Sequence, residues 1–473
     1  MIVMKFGGSS VDSPSSIERV VGIVRSLLDR KPVVVVSAMA KTTRRLLRCA
    51  EAAAAGDLDL PKAFSILKEL REFHWQIAHA VVEPAGHSVL EAMLDRYLGE
   101  LRAQIDEIAA AGRLSARTAD AVASFGELLS SAILSLALDR PDEGIEAPWI
   151  DCRQVLITDD SFNRAKPVYD ETEPRMRKAF LRHVEAGRVP VVGGYVGATR
   201  AGITTTLGKE GSDFSAAIVG AALGAEEIQI WTDVDGIMTA DPRLVPAARR
   251  IRTLSFGEAL ELACSGAKKP HWGTLGPASQ ADVPIRILNS GAPHLDRGIG
   301  EGTLIGRRNP AAEPGIKSIS CRHHARRITV RGGGTGFQDE IFAVCERYRP
   351  ALMVIGVAPE EVELALDEED RLFEIHAALS AVAGKSGHSG EVRLAPGRTV
   401  VSLVSEDLET SPDLAARILS LIGALAEEAE PRLVTAGTAA PCIRCLVSEE
   451  SAPDAVALIH ERIFGRRPEE PVA

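Results

Sequence analysis

Several stretches of this chain carry residues of the types and spacing that handle phosphate. The longest is GITTTLGKEGSDFSAAIVGAA, Gly202 to Ala222. An apolar run before it, VPVVGGYVG, predicts a buried strand and the alanine-rich run after it predicts a helix. The threonines and glycines between them then form a strand-to-helix loop. Ser212 and Asp213 stand where the helix should start. There the first backbone N–H groups lack partners within the helix and, with the helix dipole, make an anion site. A bare N-cap role for Ser212 or Asp213 fits the same pattern. A P-loop does not: Gly202 and Gly208 enclose five residues where that motif has four, and Lys209 is followed by Glu210 rather than Ser or Thr. No G-x-G-x-x-G opens a helix elsewhere, which argues against a dinucleotide site.

Lys5 closes the apolar run MIVMKF directly before Gly7 and Gly8. Glycines there let the backbone approach a ligand and leave the ammonium in reach of it. A lysine merely solvated at a strand end is the competing reading. A second apolar run, PVVVVSAMA, carries Ser37 near its end, with Thr42 and Thr43 beyond. Glu127 lies among apolar residues in SFGELLSS. A buried carboxylate needs a cationic or hydrogen-bonding partner, and a substrate amino group would serve. The S-x-x-E spacing from Ser124 fits a capping box as well. Thr232, Asp233, Asp235 and Asp241 follow the apolar run IQIW. Acids beside a phosphate loop can hold Mg2+ or accept hydrogen bonds from a ribose or adenine, and Asx turns are the alternative for each. Lys268 and Lys269 follow the helical pattern SFGEALELACSGA, where they offset the helix dipole or meet phosphates.

Elements that bring these groups together must share one rim. Strand-like runs alternate with helical ones from MIVMKF to the helix SFGEALELACSGA, which implies parallel βαβ units in a doubly wound sheet. Ligands of such a sheet bind outside the C-terminal ends of its strands, and each loop named above falls at such an end. From about Leu46 to Leu138 the periodicity is helical and predicts a helical layer. At 473 residues, 45% hydrophobic and 25% charged, the chain has material for two or three domains. A net charge of -11 and a pI near 5.6 argue against a nucleic-acid or anionic-membrane surface. MIVMKFGG turns polar too soon for a signal peptide, and no apolar run reads as long enough to span a membrane, so a cytoplasmic protein is expected. Seven scattered cysteines do not form a disulfide framework, and Cys442 and Cys445 read as two structural thiols on a strand.

In order along the chain, KFGGSSV, VVVSAMA with Thr43 downstream, SFGELLSS, GITTTLGKEGSDFSAA, IWTDVDGIMTADPR and GAKKPH resemble the motifs of aspartate kinases. These are members of the amino-acid kinase family. The resemblance covers residues 1 to 306 and implies a three-layer α/β/α sandwich as the catalytic domain. It implies transfer of the γ-phosphoryl group of ATP, with Mg2+, to the β-carboxylate of L-aspartate. The product would be 4-phospho-L-aspartate, on the route to lysine, threonine and methionine. On the same resemblance Lys5 stabilises the transferring phosphoryl group and meets the nucleotide with Gly7, Gly8 and Ser9. Asp213 organises the centre of the site. Ser37, Thr43, Glu127 and Lys209 bind aspartate, Glu127 taking its ammonium. Thr232, Asp233, Met238, Arg243, Lys268 and Lys269 bind the nucleotide. Such a site works by positioning and charge neutralisation.

The chain departs from the family pattern at three points. LGKEGSD places Lys209 where an arginine would grip a carboxylate with a two-pronged fork, so a point charge stands there instead. GAKKPHW puts Pro270 and Trp272 beside the expected adenine edge, and Met238 stands where tyrosine is frequent. Two other readings of the same fold stay open, a kinase for another small carboxylic amino acid and a regulator that binds both ligands without turnover.

Gly298 to Gly315, rich in Gly, Pro and charge, predicts a linker. Beyond it two βαββαβ-like units, 316–397 and 398–473, resemble the paired ACT domains of aspartate kinases. That implies an amino-acid effector and a homodimer formed through them, or modules kept for dimerisation alone.

Overall fold

The computed structural model describes residues 1–56, 58–266, 272–291, 302–308, 315–348, 352–366, 371–385, 390–425, 432–436 and 442–465. They form two compact units, Met1–Ile237 with His271–Arg307 and Met238–Pro270 with Arg308–Ala473. In the first unit the chain runs β1 (Ile2–Phe6), α1 (Pro14–Arg25), β2 (Pro32–Val36), α2 (Thr42–Ala54), α3 (Leu60–Val81), α4 (His87–Ala111), α5 (Ala116–Leu138), β3 (Trp149–Ile150), α6 (Cys152–Val155), β4 (Ile157–Thr158) and α7 (Tyr169–Glu185). It continues with β5 (Val191–Gly193), β6 (Val196–Thr199), β7 (Thr204–Thr206), α8 (Gly211–Leu223) and β8 (Glu227–Thr232). After β9 (Thr253–Ser255) and α9 (Phe256–Cys264), which belong to the second unit, it resumes with α10 (Trp272–Gln280), β10 (Ile285–Asn289) and β11 (Thr303–Gly306).

Strands of the first unit lie in the order β3-β5-β2-β1-β8-β10-β11. All pair in parallel except β11, which is antiparallel to β10. Every residue of β1 and β2 is buried, as a parallel sheet covered by helices on both faces requires. This is the expected α/β/α sandwich.

Local structure departs from expectation in four places. VPVVGGYVG is two strands of different sheets, β5 in the main sheet and β6 in a small one with β4 and β7, because the chain reverses at Tyr195, held at φ 63°. The threonines of GITTTLG form β7, an antiparallel partner of β6, so the true loop before α8 is only residues 207–210. The expected linker contains β11, whose Thr303 and Ile305 are buried in the main sheet. α5 is long and apolar enough by composition to cross a membrane, contrary to the expectation above. It is instead the buried central helix of its layer, with 18 of its 23 residues buried.

In the second unit, β9 and α9 are followed by β12 (Ser318–Arg331), α11 (Phe337–Arg347), β13 (Leu352–Ala358), β14 (Glu361–Leu366), α12 (Leu372–Gly384) and β15 (Glu391–Val404). Then come α13 (Asp407–Thr410), α14 (Pro412–Ala424), β16 (Arg432–Ala436), β17 (Cys442–Val447) and α15 (Ala452–Phe464). The two α+β repeats share one antiparallel sheet, β13-β14-β12-β15-β17-β16, and the expected boundary at 397/398 falls inside β15. Each repeat keeps its own core, one around Ile328, Ile341 and Leu379, the other around Ile319, Ile443 and Val456. Cys442 and Cys445 are buried free thiols pushed up to about 12 by burial, as expected of structural cysteines.

Candidate active site

Lys5 sits on β1 one residue before its end, between Val35 of β2 and Ile230 of β8. Its Nζ lies 2.5 Å from Asp213 Oδ1, and both side chains are buried. Asp213 occupies the first turn of α8. The N-cap of that helix is Glu210, whose φ of 57° is left-handed, and two of the first N–H groups are spent on the loop and cap before it. The Gly211 N–H donates to Gly208 O at 3.0 Å and the Asp213 N–H to Glu210 O at 3.1 Å. The anion site expected from free N–H groups is therefore smaller than the sequence implies, and the positive charge comes from Lys5.

Glu127 lies in the middle of α5, which begins at an N-cap Ser115. The capping-box alternative is thus excluded, and Ser124 Oγ donates to Ala121 O instead. Glu127 is buried, and burial pushes its carboxyl up to about 8 against opposing hydrogen bonds from backbone N–H groups, Ala38 first, and the charge of Lys5. Its Oε2 is buried and has no hydrogen-bond partner among the described residues. Two glycines let the rim close around it. A Cβ on Gly193 would lie 3.0 Å from Glu127 O, and one on Gly194 would lie 2.7 Å from Ser212 Cα, so strand, α5 and α8 meet at backbone distance. Thr43, half-buried at the start of α2, reaches the same place: its Oγ1 is 3.4 Å from where a Cβ of Gly126 would stand.

The turns after β1 and β2 are tied together, with the Ser37 N–H donating to Phe6 O at 3.1 Å and the Ala40 N–H to Gly8 O at 3.0 Å. The Gly7 N–H donates to Trp231 O at 3.1 Å, which sets the glycine turn beside Thr232 at the end of β8. Lys5, Gly7, Gly8, Ser9, Ser37, Thr43, Glu127, Asp213 and Thr232 therefore gather on one rim. A cavity of about 410 Å³ opens beside the turn, lined by Ser9, Asp12, Ala40, Lys41, Thr42, Arg45 and Phe73.

Residues 1–289 match the family described as "Amino acid kinase family". The chain belongs to the amino acid kinase family. Over 478 residues it is 30% identical to lysine-sensitive aspartokinase 3 of Escherichia coli, covering 98% of this chain and 99% of that one. It is 29% identical over 477 residues to the chloroplastic aspartokinase 2 of Arabidopsis thaliana, covering 98% and 85%. Among solved structures, E. coli aspartokinase III in complex with aspartate and ADP, in its R-state, superposes with a TM-score of 0.80 at 29% identity over 98% of this chain and all of that one.

The expected nucleotide-binding residues divide between the two units. Thr232 and the exposed Asp233 belong to the first unit and bond each other, Thr232 Oγ1 donating to Asp233 Oδ1 at 3.0 Å. Met238 and Arg243 belong to the second unit. Met238 O accepts from Ser318 Oγ at 2.9 Å, and the exposed Arg243 pairs with Asp241 at 2.5 Å. Asp241 also takes the Arg243 N–H, so the Asx-turn reading holds for it. Asp235 accepts from Asn289 Nδ2 at 2.7 Å. Lys268 and Lys269 lie outside the described residues. Lys209 is exposed in the 207–210 loop and makes no ion pair among the described residues.

Sequence reading missed a serine pair. Ser290, at the end of β10, donates through its N–H and Oγ to Thr232 O at 2.8 and 3.1 Å, and its Oγ lies 2.7 Å from Ser10 Oγ. Ser10 and Ser290 are 280 residues apart, and no local pattern marks them.

Proposed function

We infer that this protein is an aspartokinase that transfers the γ-phosphoryl group of MgATP to the β-carboxylate of L-aspartate. The observation that carries the reading is the whole-length likeness to E. coli lysine-sensitive aspartokinase 3, 98% of one chain on 99% of the other. The site supplies matching chemistry. A carboxylate oxygen of aspartate attacks the γ-phosphorus, the bond to the bridging oxygen breaks, and ADP leaves with the electron pair. The nucleophile is already ionised at neutral pH, so no general base is needed. Lys5 neutralises charge on the transferring group, and Asp213 fixes its ammonium. Glu127 Oε2, buried and unpartnered, suits the substrate ammonium. Lys209 faces a substrate carboxylate, and Thr232 and Asp233 face the nucleotide. Among the described residues no three acidic, histidine or cysteine side chains cluster as a metal cage. On this reading Mg2+ comes with the triphosphate as part of the substrate.

The second unit is read as two ACT-like modules that bind an amino-acid effector and pair two subunits. In support, the glycine-rich turn 332–336 sits between β12 and α11, and the E. coli relative is lysine-sensitive by name. Hydroxylamine trapping tests the central reading. Incubated with MgATP and a panel of amino acids, the protein is expected to yield a hydroxamate with aspartate, and none when Lys5→Ala replaces the wild type. Product with a different acid only would overturn the acceptor, and no product with any acid would overturn the kinase.

A further inference from the structure

Asp120 lies on α5 two helical turns before Glu127, so the two buried carboxylates share one helix face. Their surroundings differ. The Asn163 N–H donates to both oxygens of Asp120, at 3.1 and 3.0 Å. The Thr206 N–H donates to Oδ2 at 2.9 Å and the Thr206 hydroxyl to Oδ1 at 2.7 Å. None of these donors is a cation. Burying a carboxylate for neutral donors alone is costly, and an apolar residue would fill the space more cheaply. What the arrangement achieves is a join between three segments remote in sequence.

All three meet at the loop that carries Lys209. Thr206 ends β7, directly before residues 207–210. Asn163, held at φ 66°, presses on the same loop from the other side: a Cβ on Gly208 would lie 2.9 Å from Asn163 O, and Gly208 itself has φ 84°. The Ala165 N–H donates to Thr206 O at 2.8 Å and the Leu207 N–H to Tyr195 O at 2.9 Å, so the N-terminal edge of the loop is pinned. Asp213 follows Lys209 by four residues.

We propose that Asp120 is a positioning residue that clamps the 207–210 loop through Thr206 and Asn163, and so sets where Lys209 presents its charge to the acceptor. The assignment rests on the reading of Lys209 as acceptor-binding. Asp120 touches no substrate. Its influence falls on acceptor binding, because the nucleotide-facing turns of β1 and β8 are held by other bonds. Burial raises the Asp120 carboxyl despite its three donors, in keeping with a group kept for geometry rather than for charge.

Two readouts test the clamp, steady-state kinetics with each substrate and amide hydrogen exchange of the segment 205–212. Asp120→Ala is expected to raise KM for aspartate about tenfold or more, leave KM for ATP within about twofold, and speed exchange in the segment. Asp120→Asn should restore both, since its amide oxygen accepts the two N–H donors and its NH2 meets a reversed Thr206 hydroxyl. Unchanged exchange in a folded Asp120→Ala protein would overturn the clamp, as would equal rises in both KM values. Should that variant not fold, Thr206→Val takes its place, and an unchanged aspartate KM in it counts against the proposal. If the wild type makes no hydroxamate from aspartate, the functional reading fails separately. Exchange then decides alone: faster exchange confined to the segment supports the clamp, and unchanged exchange removes it.

Discussion

Around α9 in the second unit, the buried Glu258 and the half-buried Glu261 find their partners within the chain. Glu261 pairs with Arg444 and accepts from Ser265 Oγ at 2.8 Å, and Glu258 closes a capping box with Ser255 and accepts from the Glu406 N–H at 3.2 Å. Arg322 donates to Cys264 O at the other end of the helix. At the rim of the first unit, Lys5 and Asp213 pair in the same manner, but Glu127 beside them keeps a buried oxygen without a partner and is pushed up to about 8. Charge around α9 holds a helix in place. At the rim a buried carboxyl is left incompletely compensated by the chain, which is the arrangement a charged substrate can complete.

The largest test of this difference is at the Lys5–Asp213 pair. Asp213→Asn is expected to lower turnover by about a thousandfold, as loss of organised transition-state charge does. It should also cost stability, because it leaves a buried ammonium unpaired. The double variant Lys5→Met with Asp213→Asn should regain stability in a thermal melt while staying inactive. Activity in the double variant would show that the pair is as structural as Glu261 and Arg444.

Glu127 comes next. Its folded pKa of about 8 lies above the ordinary 4.5, so between these values the folded protein holds a proton that the unfolded chain releases. Stability without substrate should fall as pH rises from about 4.5 to about 8, by an amount on the order of a few kcal/mol. Glu127→Gln should flatten that slope and weaken aspartate binding about a hundredfold. An arriving ammonium lowers the Glu127 pKa, so aspartate binding at pH 7 should release close to one proton, measured by calorimetry in buffers of different ionisation heat. Proton uptake instead would remove Glu127 from the substrate ammonium.

Around α9 the expectation is reversed. Arg444→Met should lower stability by about 2 to 3 kcal/mol by chemical denaturation while turnover at saturating substrates stays within about twofold. Adding Glu261→Gln should recover most of the loss. A stable but inactive Arg444→Met protein would erase the contrast between the two regions.

How much of this was legible in the sequence follows from contact range. β1, β2 and β8 are continuous apolar runs, and the glycine turn after Lys5 is local, so strand, turn and lysine could be read directly. Asp213 was legible because a loop and a helix start flank it. The S-x-x-E pattern at Ser124 misled on its own terms, since a capping box needs a helix end and α5 runs through it. VPVVGGYVG reads as one strand because hydrophobicity does not show that Tyr195 adopts a left-handed backbone. Asp120 with Thr206, and Ser10 with Ser290, are 86 and 280 residues apart, and only the fold brings them together.

The smallest expected effect sits on the most visible departure from the family pattern. Lys209 offers a point charge from an exposed loop, whereas an arginine would offer two parallel donors to a carboxylate. If Asp120 fixes that loop as proposed, Lys209→Arg should gain the second bond without moving the backbone, and KM for aspartate should fall by about threefold to tenfold with kcat little changed. A loop free to adjust would absorb the longer side chain and blunt the gain. The same substitution made in the Asp120→Ala background should therefore improve aspartate binding less than in the wild type. Equal improvement in both backgrounds would mean that the charge at 209 acts from solvent, and that the loop needs no clamp to present it.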